Sequence, residues 1–301
     1  MYRIKEKPED FVVKEKLKLK KVRIEKGEGS YSYFLMKKRN YTTQKAIDVI
    51  ARKLGLPAKF FGYAGNKDKR AVTEQFVSVK NCSVKELKLN DISLGFAGKG
   101  KEPISLGDLD GNYFEIVVRN VDKKPKKINK FPNYFGEQRF SKQNIEVGRV
   151  IIKKDFRKAC ELLELDVVKN DFVGALRNIN KKILRLYVHA YQSYLWNETA
   201  REYLRLSKKN IKIPIVGFGT EIKDKKLKEI IEKIMKNEKI VFMDFVIRQI
   251  PELSSEGSER ELFAKVIDLE IEKGSDFIKL KFFLKKGCYA TVFVDCLFNS
   301  L

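Results

Sequence analysis

The stretch Phe61-Gly62-Tyr63-Ala64-Gly65-Asn66-Lys67-Asp68-Lys69-Arg70-Ala71-Val72-Thr73-Glu74-Gln75 concentrates the chemistry of this chain. It leaves a hydrophobic run, and Gly62 and Gly65 predict a tight loop, because a residue without Cβ adopts backbone conformations that others resist. The loop presents one acidic residue, Asp68, among Lys67, Lys69 and Arg70. Neighbouring cations favour the ionised carboxylate, the form that a nucleophile or general base requires. The same cations attract a phosphate backbone. From residue types alone, a solvated charged turn stays open beside the catalytic reading.

The rest of the composition narrows the setting. A chain of 301 residues with 43% hydrophobic content has room for two domains, or for one large domain with an insertion. Its 63 Lys and Arg against 40 Asp and Glu give a net charge of +23, which implies a polyanionic partner. No apolar run reaches membrane-spanning length, and no basic amphipathic helix dominates, so nucleic acid is favoured over a membrane surface. The charged start, Met1-Tyr2-Arg3-Ile4-Lys5, lacks an apolar signal core. Cys82, Cys160, Cys288 and Cys296 are far apart, and His189 is the single histidine. They predict neither a metal site nor a disulfide framework, and a cytoplasmic protein with reduced thiols.

Periodicity organises the chain around the loop. Residues 11–20 alternate, with Phe11, Val13, Glu15, Leu17 and Leu19 on one face and lysines on the other, which predicts a half-buried strand. Glu15 is a carboxylate on the apolar face, where a charge needs a partner. Gly27-Glu28-Gly29 predicts a turn, and Tyr31–Lys37 a strand. Thr42 or Thr43 caps a helix to about Leu54, which Gly55 and Pro57 end. Phe76–Lys80 and Tyr113–Val121 read as strands, and Lys123–Lys130 as a basic connector. Residues 144–205 read as mainly helical, clearest over Ile183–Tyr203. Ile211–Ile222 is expected to be extended and Leu227–Lys236 helical. Val266–Ile271, Phe277–Leu284 and Tyr289–Cys296 are expected to be strands.

Several motifs together resemble one family. Gly65, Lys67, Asp68, Ala71, Thr73 and Gln75 fall on the fixed positions of AGxKDxxAxTxQ, a signature of the TruD family of tRNA pseudouridine synthases. Pro8–Glu15 is similar to the family's PEDFxVxE, with Lys5 three residues upstream. Gly107, Leu109, Gly111, Asn112, Phe114 and Arg119 fit LGxLxGNxFxxxxR, and Pro132–Phe140 resembles PNYFGxQRF. Tyr191–Asn197 is similar to AyQSyxxN, and Gly257 with Arg260 to Gly-x-x-Arg. The C-terminal Phe282–Thr291 resembles FxLPxGSYATxxxRE, with Lys285 for Pro, Cys288 for Ser, and Asp295-Cys296 for Arg-Glu.

The resemblance implies an α+β fold: a catalytic domain around a mixed, mostly antiparallel sheet with flanking helices, carrying an inserted, more helical TRUD domain. Residues 1–155 with 262–301 would be catalytic, and 156–261 the insertion. It implies isomerisation of uridine to pseudouridine in tRNA, at uridine 13, with Asp68 as the catalytic aspartate and no cofactor. The base would be flipped out of its stack to reach the pocket. Lys5, Phe11, Glu15, Lys67, Asn133, Phe135, Arg139 and Tyr289 are the expected substrate and RNA contacts; an aromatic beside an amide and an Arg suits base stacking and edge or phosphate contact. Other RNAs stay open as partners, as does a non-catalytic RNA-binding protein that keeps the fold.

Overall fold

The computed structural model describes residues 2–18, 29–121, 124–140 and 143–299. Leu19 and Lys20 of the expected first strand, Gly27 and Glu28 of the expected turn, and Lys123 of the connector lie outside the described residues. The chain divides into two compact units, one of residues 1–131 with 265–301 and one of residues 132–264.

The first unit begins with strands β1 (Phe11–Leu17) and β2 (Tyr31–Arg39), then helix α1 (Thr43–Leu54). Strands β3 (Phe61–Tyr63), β4 (Val72–Lys80), β5 (Glu86–Leu89), β6 (Ile92–Gly100) and β7 (Leu109–Arg119) follow. Strand β8 (Lys130–Pro132) leads into helices α2 (Asn144–Ile152), α3 (Phe156–Leu162), α4 (Phe172–Arg177) and α5 (Lys181–Leu206). Next come β9 (Lys212–Ile215), α6 (Lys225–Glu238), β10 (Ser258–Glu261) and β11 (Phe263–Lys265). Strands β12 (Ile267–Lys273) and β13 (Phe277–Lys285) and helix α7 (Ala290–Phe298) complete the chain.

The main sheet has the order β12-β13-β7-β1-β4-β2-β6-β5, with β3 also paired to β4. Strands β1 and β4 run parallel, and the neighbouring pairings of β1 with β7 and of β2 with β4 and β6 are antiparallel. This is the mixed, mostly antiparallel sheet of an α+β fold. The alternation in β1 buries Phe11, Val13, Glu15 and Leu17. Helix α1 starts where the Thr42 side chain accepts from Lys45 N, and ends at Gly55 in the left-handed region at φ 64°. Its Ala46, Ile47 and Ile50 pack with Phe34, Met36, Val77, Val79, Ile92 and Leu94 of the sheet.

Three local readings differ from what forms. Tyr289–Cys296, expected as a strand from its Thr and Val content, is the start of α7. Buried Ala290, Phe293, Val294 and Leu297 have the spacing of one helical face, and Phe293 meets Phe282 and Phe131 at 4.5 and 5.4 Å between ring centroids. Packing on the sheet outweighs the strand propensity of branched residues. Strands β5 and β6 are unannounced, because glycines interrupt Ile92–Gly100; pairing with the whole length of β2 supplies what the local sequence lacks. Neither Gly62 nor Gly65 has a positive φ. Gly62 is needed for space, since a Cβ there would lie 2.3 Å from the Ile104 carbonyl oxygen, whereas one at Gly65 would make only ordinary contacts.

In the second unit, the long α5 buries Leu184, Val188, Tyr191, Leu195, Trp196 and Tyr203 among the surrounding elements. Trp196 and Gln192 reach outward from it, donating to Ile213 O at 3.1 Å and Val216 O at 2.7 Å. Helix α2 also packs in this core through Val147, Val150 and Ile151. The contacts therefore group residues 132–155 with the helical unit, where the sequence reading counted them with the strand-rich ends.

Candidate active site

The central strands bring an apolar face up to a polar edge. Along β2, Phe34, Met36 and Lys38 share a face, opposite Val77, Gln75 and Thr73 of β4. Phe34, Met36 and Val77 pack under α1, while Gln75 and Lys38 reach the segment 64–71. That segment is held mainly by its backbone. Gln75 Nε2 donates to Gly65 O at 3.0 Å, Thr43 Oγ1 accepts from Lys67 N at 2.9 Å, and Lys38 Nζ donates to Asp68 O at 3.0 Å. Thr43 in turn donates to Gln75 Oε1 at 2.8 Å, which joins the helix start to the strand. The loop is a braced structure rather than a glycine-loosened one.

Side chains from this loop and the N-terminal segment converge. Lys5 Nζ lies 2.8 Å from Asp68 Oδ2, and the Asp68 side chain keeps 25% of its surface exposed, so its carboxylate is both paired and accessible. The same ammonium sits 4.0 Å above the centroid of the buried Phe11 ring, a platform that fixes where the cation can stand. Lys5 has φ 58°, an uncommon conformation for a residue with a side chain. Strain of that kind is kept where surrounding structure demands it. On either side of Lys5, Arg3 exchanges backbone hydrogen bonds with Arg119, and buried Asp10 accepts from Arg119 Nε and Nη2 at 3.1 and 2.8 Å.

Glu15 finds its cation in Lys67. The two form a buried ion pair, and burial pushes the Glu15 carboxyl upward while Lys67 opposes the shift. Among the described residues, Thr73 Oγ1 and Asn112 Oδ1 are buried with no hydrogen-bond partner, while Glu15 also meets the Phe76 backbone. Glu15 and Asn112 face each other across β1 and β7, and Thr73 lies on the other neighbour, β4. A buried unsatisfied oxygen costs about 1–3 kcal/mol.

Asn133, Phe135 and Arg139 form a separate cluster in the second unit. Asn133 is fully engaged: Arg260 donates to its backbone oxygen at 2.8 Å and to Oδ1 at 2.7 Å, and Nδ2 donates to Glu261 O at 3.1 Å. The Arg260 guanidinium lies 4.1 Å from the Phe135 ring centroid, and Trp196 meets that ring edge-on at 5.6 Å. Asn197 fixes the Phe135 backbone from both sides, at 2.9 and 3.0 Å. Phe135 and Arg139 line a cavity of about 430 Å³ with Arg185, His189, Gln192 and Ser193. Burial, with Arg139 and Arg185 nearby, holds the His189 imidazole below its ordinary value. Tyr289 stands at the N-cap position of α7. Asp295, at the position of the usual Arg-Glu, accepts from the Tyr2 hydroxyl at 3.0 Å, and burial beside Asp295 pushes the Cys296 thiol up to about 11.

Sequence reasoning passed over Lys38, Thr43 and Arg260 as site residues. Lys38 carried a signal, since it is a cation on the otherwise apolar face of Phe34 and Met36, the same anomaly that drew attention to Glu15. Arg260 carried none beyond its motif.

Comparison with known proteins places the chain as a whole. The family model for tRNA pseudouridine synthase D (TruD) matches residues 2–169, 162–209 and 198–295. A tRNA pseudouridine synthase D of Aquifex aeolicus is 32% identical over 99% of this chain and 98% of its own. A probable tRNA pseudouridine synthase D of Nanoarchaeum equitans is 31% identical over 98% of both. The crystal structure of the putative tRNA pseudouridine synthase D from Methanosarcina mazei superposes with a TM-score of 0.74, at 24% identity, over 99% of this chain and 93% of the other, and so shares the fold.

Proposed function

The chain belongs to the TruD family of tRNA pseudouridine synthases, and on that footing we propose that it isomerises uridine 13 of tRNA with Asp68 as the catalytic group. The observation that carries this reading is how Asp68 is held. Its carboxylate is accessible and paired with Lys5 at 2.8 Å, while the backbone beneath it is pinned at Gly65, Lys67 and Asp68. A reactive group aimed by fixed supports needs little reorganisation when the substrate arrives.

In the reaction the C1′–N1 glycosidic bond breaks, the uracil turns, and C5 bonds to C1′. C5 gives up its proton and N1 gains one, so no oxidant or energy source is consumed. Asp68 acts either by attacking the nucleotide or by removing a sugar proton; both need an ionised carboxylate, and the Lys5 ammonium stands 2.8 Å from it. The first unit then supplies the chemistry. The second supplies RNA contacts through Phe135 and Arg139, whose cavity also holds Arg185, donors suited to phosphate.

Asp68→Asn tests the reading. The amide keeps the size and hydrogen bonding but is a far poorer nucleophile or base. Tritium release from 5-tritiated uridine in tRNA is expected to vanish, with filter-binding affinity equal or slightly higher. Turnover within about tenfold of the parent, a barrier change of only ~1.4 kcal/mol, would overturn it.

A further inference from the structure

Lys38 is a lysine in the floor of the sheet. It is 2% exposed and ranks among the largest fully buried side chains described. Its Nζ donates to two main-chain carbonyls, Tyr41 O at 2.5 Å and Asp68 O at 3.0 Å. Its strand register sets it opposite Thr73 on β4 and Ile92 on β6, neither of which titrates. The charged groups facing it belong to the loop: Asp68 attracts its charge and Lys67 repels it, while Lys67 is already paired with Glu15 and the Asp68 carboxylate with Lys5. Burying an ammonium against neutral carbonyl acceptors is unfavourable. A methionine or leucine would suit a core strand better. The ammonium ties together two backbone points, Tyr41 just ahead of α1 and Asp68 in the loop.

We propose that Lys38 is a positioning residue for the reaction: its ammonium, rising from β2 through the sheet face, clamps the Asp68 carbonyl and so aims the Asp68 carboxylate. The inference rests on the reading of Asp68 as the catalytic group. Lys38 does not touch substrate; it acts through the loop. The clamp is strongest while Lys38 is charged, because hydrogen bonds from an ionised donor are about twice as strong as neutral ones. Burial lowers the Lys38 ammonium to about 8, against the pull of Asp68 and with the push of Lys67. The clamp therefore weakens as pH rises through that value.

This gives a signature that a purely structural lysine lacks. A lysine whose folded value is depressed releases a proton on folding between about 8 and its ordinary 10.5. Its contribution to stability then increases with pH across that window. Turnover should fall where this group's contribution to stability rises.

The experiment compares the parent, Lys38→Met and Asp68→Asn by tritium release from tRNA, with kcat and KM measured on both sides of pH 8 and thermal unfolding recorded in the same buffers. The parent kcat is expected to fall as pH rises through about 8 without a matching loss of unfolding temperature. Lys38→Met is expected to lose kcat by on the order of ten- to a hundredfold, with KM little changed and the step at pH 8 gone. A Lys38→Met enzyme with the parent's kcat, or with the parent's alkaline step, overturns the inference. If that variant does not fold, the parent decides: a flat kcat through the window, or a fall that tracks unfolding, overturns it equally. Asp68→Asn separates the two claims, since an inactive Asp68→Asn beside a fully active Lys38→Met removes the role of Lys38 alone. An active Asp68→Asn removes the premise.

Discussion

Glu15→Gln removes one half of the buried ion pair that supports the Asp68 loop. The Glu15 and Lys67 side chains are 0% and 5% exposed, so no solvent compensates the ammonium left behind. Removing one partner of a buried pair costs about 3–5 kcal/mol. The amide oxygen still accepts from Lys67, which returns about 1 kcal/mol, leaving a net loss of roughly 2–4 kcal/mol. In a domain of this size, each kcal/mol moves the midpoint by about 2–4 °C, so unfolding is expected roughly 4–16 °C lower. The assay is thermal unfolding by circular dichroism, with tritium release measured well below both midpoints. There kcat is expected to fall on the order of tenfold or more, because Lys67 precedes Asp68 and its anchor sets the path of the loop. The double variant Glu15→Gln/Lys67→Met exchanges the pair for neutral groups and should recover at least half of the lost stability, without recovering turnover. A single variant melting within about 2 °C of the parent would refute the reasoning. So would a double variant with full activity.

Three further outcomes follow from the same structure. Burial alone would raise the Asp10 carboxyl, but Arg119 and the Lys7 backbone outweigh it and hold it below its ordinary value. Its stabilisation is present above the ordinary carboxylate range and lost as pH falls through the lowered value, so Asp10→Asn should cost about 1–3 kcal/mol at neutral pH and match the parent in acid; a gap that persists in acid excludes this account. Phe135→Ala should retain its circular dichroism spectrum yet turn over on the order of ten- to a hundredfold more slowly, as loss of a base stack of about 1–3 kcal/mol predicts, whereas an unfolded variant would make the ring a core residue. With a net charge of +23, tRNA affinity should fall at least about a hundredfold between roughly 50 and 200 mM salt, and a flat response would contradict phosphate-led binding.

The local rules written in the chain were enough for its clearest elements. Period-two burial in β1, the Thr42 cap and the Gly55 stop of α1, and the length of α5 follow from patterns of a few residues, where neighbours in sequence are neighbours in space. The motif around Asp68 was equally legible, because a charged loop between two apolar runs is a local feature. Tertiary structure decided everything that depends on which strand lies beside which. Glu15 announced that it needed a cation, and Lys5 of the same N-terminal motif was the partner its sequence suggested, which the fold corrects to Lys67. Only the parallel pairing of β1 with β4 brings Lys67 to Glu15, leaving Lys5 for Asp68. Tyr289–Cys296 could be read with either period until the aromatic floor of Phe131 and Phe282 selected the helical one. Lys38 was an isolated oddity in a strand until the fold carried the Asp68 carbonyl, thirty residues onward, to within 3.0 Å of its ammonium. Sequence determines what each residue can do with its neighbours in the chain; long-range pairing, paid for in loop-closure entropy, determines which distant partner it meets.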